Sequence, residues 1–130
     1  MVFLITLIME TPNNKSEENL TEAEKVIRIR TLNDALRTTY EGGRVMITAG
    51  IQAMGDPFVS SLAREVQVFK DFTPDNDPHG EHDFGSLLHQ GRKVFWKIDY
   101  YDTTLTYGSE DPSDSEVTTR VLTVMLAEEY

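Results

Sequence analysis

The chain has 130 residues, 26% of them charged and 39% hydrophobic, which fits one globular domain and excludes both a disordered chain and two ordinary domains. It contains no cysteine, so disulfides, thiolate metal sites and a thiol nucleophile are excluded, and the composition fits a cytoplasmic setting. The formal charge is −10, and residues 71–116 alone hold eleven acids against three bases; such a field repels phosphate backbones, disfavouring direct nucleic-acid binding, and attracts a cation or a basic protein surface.

Met1 to Met9 is almost wholly apolar but too short for a membrane span, which needs roughly 20 residues. It also lacks the basic start and small-residue cleavage site of a secretory signal. Met9 is read as the initiator, with an extra edge strand as the structural alternative for the first nine residues. Residues 10–20 are polar and aperiodic, so 1–20 is expected to be a flexible or mis-started segment and 21–130 the domain. Thr21 and Glu24 have capping-box spacing. Val26, Ile29, Leu32, Leu36 and Tyr40 then recur every three or four residues, predicting an amphipathic helix that Gly42-Gly43 stops.

Arg44 to Ala49 reads as a short buried strand. Asp56-Pro57 reads as an N-cap followed by proline at the first helical position, and Phe58, Leu62, Val66 and Phe69 form the stripe of a second helix. Phe84 to His89 and Arg92 to Tyr100 read as a hairpin turning at Gln90-Gly91, with Val94, Trp96, Ile98 and Tyr100 facing the core. Thr103 to Tyr107 is expected to add a short strand. Val117, Val121, Val124 and Met125, flanked by Leu122 and Leu126, predict a closing helix capped from Asp111 or Asp114. The expected architecture is α+β, a single domain of about four mainly antiparallel strands with three helices packed on the sheet.

Chemistry concentrates in Asp71-Phe-Thr-Pro-Asp-Asn-Asp-Pro-His-Gly-Glu-His-Asp-Phe-Gly85, which two prolines keep out of regular structure. Asp75 to Gly80 imitates the first half of a calcium loop, but Ser86 stands where that loop needs a bidentate glutamate. Asp75, Asp77, His79, Glu81, His82 and Asp83 could instead hold zinc, manganese or iron through oxygen and nitrogen, or work as acids and bases. The ligand-free reading is a loop of Asx turns, in which the Asp75, Asn76, Asp77 and Asp83 side chains accept the N–H groups that Pro74 and Pro78 leave unpaired, with His79 or His82 as an internal donor. On that reading no cofactor is required.

The second dense segment is Phe95-Trp-Lys-Ile-Asp-Tyr-Tyr-Asp102. Trp96 and Ile98 fit the core. Lys97, Asp99, Tyr101 and Asp102 are left for a polar face, where aromatic and charged side chains suit a protein interface. Candidate binding residues are therefore these four with Asp71, Asp75, Asp77, His79, Glu81, His82 and Asp83. No glycine-rich phosphate loop and no G-x-S-x-G elbow occurs in the sequence.

The runs Leu32-Asn-Asp-Ala-Leu-Arg37, Asp71 to Gly85, Phe95 to Asp102 and Thr119 to Ala127 resemble the bacterial family called domain of unknown function 3768, over roughly residues 27–130. The resemblance implies a small protein, often carried on mobile elements, and no catalytic residue transfers from it. Two functions follow as expectations. One is an acidic interaction protein that binds a basic partner, such as an anti-restriction or anti-CRISPR inhibitor of a nucleic-acid-handling defence protein. The other is a metal-dependent hydrolase or nuclease built on residues 71–85. The pattern leaves the oligomeric state open.

Overall fold

A computed structural model describes residues 19–130; the expectations for Met1 to Met9 and for most of residues 10–20 lie outside them. Helix α1, Glu22–Thr39, starts from the expected capping box. Glu24 N–H donates to Thr21 Oγ1 at 3.1 Å, and Thr21 N–H donates to Glu24 Oε1 at 2.9 Å. It ends at Tyr40 in the left-handed region, whose hydroxyl donates to the Ala63 carbonyl at 2.5 Å. Strand β1 is Arg44–Ile47. Thr48 then caps a single turn, α2 (Ala49–Gln52), that the sequence did not announce. Helix α3 is Asp56–Gln67, with Pro57 in its first turn and Gly55, not Asp56, as the cap.

Strands β2 (Phe84–His89) and β3 (Arg92–Tyr101) form the expected hairpin. Both turn residues have positive φ, Gln90 at 49° and Gly91 at 82°, the type I′ geometry that matches strand twist.

Strand β1 is exposed at Arg44, Val45 and Met46 rather than buried, and two expected elements fail. Thr103 to Tyr107 forms no strand and leaves only an isolated bridge between Tyr101 and Gly108. The Asp102 carboxylate captures the N–H groups of Thr104, Thr106 and Tyr107, folding the segment onto itself instead of releasing it to the sheet. The closing helix is likewise a strand, β4 (Thr119–Leu126), followed by a 3₁₀ turn, Ala127–Glu129. Asp111 and Asp114 do not cap a helix. They hold turns, Asp111 accepting from Ser113 and Asp114 from Glu116.

The sheet is mixed, in the order β1-β4-β3-β2, with β4 parallel to β1 and antiparallel to β3. The α+β architecture and the mainly antiparallel pairing therefore hold. One face, through Val94, Trp96, Ile98, Leu122, Val124 and Leu126, packs on Leu36, Ile51, Phe58, Leu62 and Val66 of the helices. Trp96 lies so close to Gly85 that a Cβ there would stand 2.2 Å from the indole nitrogen. Only glycine lets the ring close over β2.

Register places both acidic segments at one end of this sheet. Loop A, residues 71–83, enters β2 at Phe84. Loop B, residues 102–118, leaves β3 at Tyr101, which pairs with Thr119 at the start of β4. Each loop carries five carboxylates and neither carries a lysine or arginine.

Candidate functional site

Loop A is fastened to α1 by side chains far away in sequence. His82 sits at φ 56°, and its N–H is held by Asp77 Oδ1 at 3.2 Å. Its Nδ1 lies 2.8 and 3.1 Å from the two oxygens of Asp34, and its Nε2 lies 3.6 Å from Asp77 Oδ2. The ring stacks on Phe72 with centroids 3.7 Å apart. Arg37 completes the joint. Its Nη2 donates to Asp34 Oδ1 at 3.1 Å, and its guanidinium lies 5.4 Å from the Phe72 ring and 5.3 Å from the Trp96 ring. Burial pulls the Arg37 pKa down while the Asp34 charge opposes it. Its Nε and Nη1 are buried without a partner, so the two rings supply what hydrogen bonds do not.

A second joint lies beside it. The fully buried Asn33 donates through Nδ2 to the Glu81 carbonyl at 2.9 Å and to Tyr100 Oη at 2.8 Å, while its Oδ1 accepts from Arg120 Nε at 2.8 Å. Tyr100 donates to Glu81 Oε1 at 2.7 Å; burial, then this carboxylate, pushes the phenol pKa strongly up. Arg120 also donates from Nη2 to the Pro112 carbonyl and lies over the Tyr100 ring. Asn33 and Arg120 thus connect α1, loop A, β3 and loop B.

The sequence-derived residues divide among three places. Asp77, Glu81 and His82 are consumed by these joints. Asp83 is half-buried, with its carboxyl pKa raised by burial first and by the Glu81 charge second, and its carbonyl accepts Ile98 N–H at 2.8 Å. Asp71, Asp75 and His79 face solvent; Asn76 Nδ2 takes the Asp71 carbonyl at 2.7 Å, and Asn76 Oδ1 accepts Thr73 N–H at 2.9 Å. Asp102 organises loop B, and bonds from Thr106 first and Thr104 second hold its pKa below the usual carboxylate range. Lys97, Asp99 and Tyr101 instead lie on the sheet face opposite the helices, Lys97 Nζ 2.7 Å from Asp99 Oδ2. Residues 71–102 are therefore two surfaces, not one.

Among the described residues no three histidine, aspartate or glutamate side chains gather so as to hold a metal. Both ring nitrogens of His82 face carboxylates, so the ring acts as a cross-link. A serine–imidazole pair lies elsewhere, Ser61 Oγ standing 2.7 Å from His89 Nε2. There the serine hydroxyl also reaches the Pro57 carbonyl at 2.9 Å. The Pro57 and Phe58 carbonyls therefore compete with His89 for the one serine proton, so the pair is not committed to nucleophile activation.

Sequence reasoning missed Asn33, Asp34, Arg37 and Arg120. No sequence signal marks them, because an Asn and an Arg four apart beside the apolar stripe of α1 look like the solvated flank of an ordinary surface helix.

Fold and surfaces define a small single-sheet α+β domain with a carboxylate-rich end. The chain belongs to the family described as Protein of unknown function (DUF3768), whose family model matches residues 47–129. No curated protein and no solved structure matches it. The match leaves out Leu32 to Arg37, although that run supplies the side chains that fasten loop A. No helix among the described residues is long and apolar enough to cross a membrane.

Proposed function

We propose that this protein is a non-catalytic binding domain whose acidic end engages a basic protein surface. The observation that carries the reading is the convergence of loops A and B at one end of the sheet, ten carboxylates with no lysine or arginine between them. Asp71, Asp75, Glu110 and Glu116 project to solvent there, while the joints at His82, Asn33 and Arg120 keep the loops in place. Exposed charges on preorganised loops speed encounter and select partners by sign. Partners of this kind include nucleic-acid-handling enzymes, whose basic channels such a surface would occupy in place of a phosphate backbone. Inhibition of a restriction or CRISPR-type effector is the specific form of this proposal.

The test is charge reversal at the exposed positions, Asp75→Lys with Glu116→Lys, assayed by binding to an immobilised basic nuclease at low and high salt. Binding is expected to fall at least about tenfold in the double variant and to weaken steeply with salt, while thermal stability stays unchanged. Salt-insensitive binding that survives reversal sinks the reading. One equivalent of metal in freshly purified protein, lost in Asp77→Ala, would move the assignment to the metal-dependent hydrolase.

A further inference from the structure

The sheet face that carries no helix among the described residues has a chemistry opposite to that of the acidic end. Three cross-strand rows build it. Arg44, Val121 and Asp99 lie in one row, Met46, Thr123, Lys97 and Phe84 in the next, and Met125 with Phe95 in the third. Phe84, Phe95 and Tyr130 close over the third row, with ring centroids 5.1 to 6.3 Å apart. The first two rows stay open as a groove of about 530 Å³, mostly apolar in lining, with Val121 and Thr123 as floor and Met46, Tyr101 and Leu105 as walls. Met46 is 56% exposed and Leu105 39%, which is costly for apolar side chains beside one another unless something covers them.

The charges in this groove point to the occupant. Asp99 is neutralised by Lys97 at 2.7 Å. Arg44 is exposed and makes no ion pair or side-chain hydrogen bond with the described residues. In a chain of net charge −10, the groove therefore presents one uncompensated positive charge beside an apolar trough. A second copy brings the same positive face and gains nothing from it. A polyanion would set many charges against Asp102 and loop B, which repel it far more than they repel a single carboxylate paired with Arg44. We propose that this groove is a docking site for a peptide segment of another protein in which a carboxylate stands among apolar side chains, the acid pairing with Arg44 and the apolar groups covering Met46, Tyr101 and Leu105. The groove borders the acidic end at Tyr101 and Leu105, but it opens on the sheet face that the described helices leave uncovered.

The experiment is selection of a phage-displayed library of random linear peptides on the whole protein, followed by affinity and chemical-shift measurements with the winning synthetic peptides. Enrichment of Asp or Glu among apolar residues is expected, with shifts at Met46, Tyr101 and Leu105 and affinity at least about tenfold weaker in Arg44→Glu. Arg44 and Met46 are exposed, so Arg44→Glu and Met46→Glu should fold, and circular dichroism checks this. Selected peptides that are basic and shift loop A and Glu110 to Glu116 overturn the inference, as does an absence of any enriched peptide. A wild-type dimer that Met46→Glu dissociates also overturns it, by making a second copy the occupant. The acidic-end proposal fails separately, through Asp75→Lys with Glu116→Lys, which leaves this groove intact.

Discussion

Loops A and B have the same charge, leave the same end of the sheet and are held by opposite means. Loop A is pinned by long-range partners: His82 to Asp34 and Asn33 to Glu81 each span 48 residues of sequence. Loop B is mostly self-contained. Asp102 accepts from residues two to five positions on, Asp111 from Ser113, and Asp114 from Glu116. A loop tied by distant side chains is ordered only when the whole domain is folded. One tied by its own carboxylates carries its order locally. The contrast explains how two five-carboxylate loops can stand side by side: in each, some acids are converted into fastenings and the rest are left to solvent.

The largest test of this contrast removes what the loops share. Asn33→Ala leaves Arg120 Nε without its partner in a buried site and takes from Tyr100 Oη the bond it accepts, leaving that hydroxyl only its bond to Glu81. A stability loss of about 3 kcal/mol is expected in urea unfolding. Amide exchange should quicken in both loops, because Arg120 also holds the Pro112 carbonyl. If loop B keeps its protection, its independence is greater than the Arg120 contact implies.

A smaller and more selective effect is expected from His82→Ala. It deletes the stack on Phe72 and the bond to Asp34, leaving that carboxylate to Arg37. The loss should be about 1–2 kcal/mol. Faster exchange should be confined to residues 72–83, with Thr104, Thr106 and Tyr107 unchanged. Equal loosening of both loops would mean that they form one cooperative unit.

Legibility in the sequence follows the same division between local and distant causes. The capping box at Thr21 and Glu24, the hairpin at Gln90-Gly91 and the inward set Val94, Trp96 and Ile98 are set by neighbouring residues, and each stands where expected. Strand β4 was misread because it is central, paired on both sides, and buried at Arg120, Val121, Leu122, Val124, Met125 and Leu126. Burial on both faces erases the alternation that marks a strand, and the remaining apolar run fits helical spacing equally well. The Asx-turn reading of residues 71–85 holds at Asn76 and Asp77, which accept the Thr73 and His82 N–H groups, while Asp75 faces solvent. That His82 and Glu81 would be spent on Asp34, Asn33 and Tyr100 was not legible, since no short-range pattern encodes a contact across 48 residues.

The finest test uses protons, because Asp83 of loop A and Asp111 of loop B titrate with opposite consequences. Burial, followed by the Glu81 charge, raises the Asp83 pKa. The native state then holds that proton to a higher pH than the unfolded chain, whose carboxyl titrates near ~4. Stability from this group accordingly falls as pH rises from that value through the raised one, and above it the cost is complete. Asp83→Asn should raise the Tm at pH 7 and match wild type at acid pH. The Asp111 pKa is lowered, chiefly by the Ser113 hydroxyl, which donates to Oδ1 at 2.5 Å. Its contribution is present above the unfolded value and lost as pH falls through the folded one. Asp111→Asn should therefore lower the Tm at pH 7, with the difference closing in acid. Thermal melts of both variants from pH 3 to pH 8 should give curves that part from wild type in opposite directions as pH rises. A loss of stability in Asp83→Asn at neutral pH would show that its carboxylate serves loop A as Asp111 serves loop B, and would erase the distinction drawn between them.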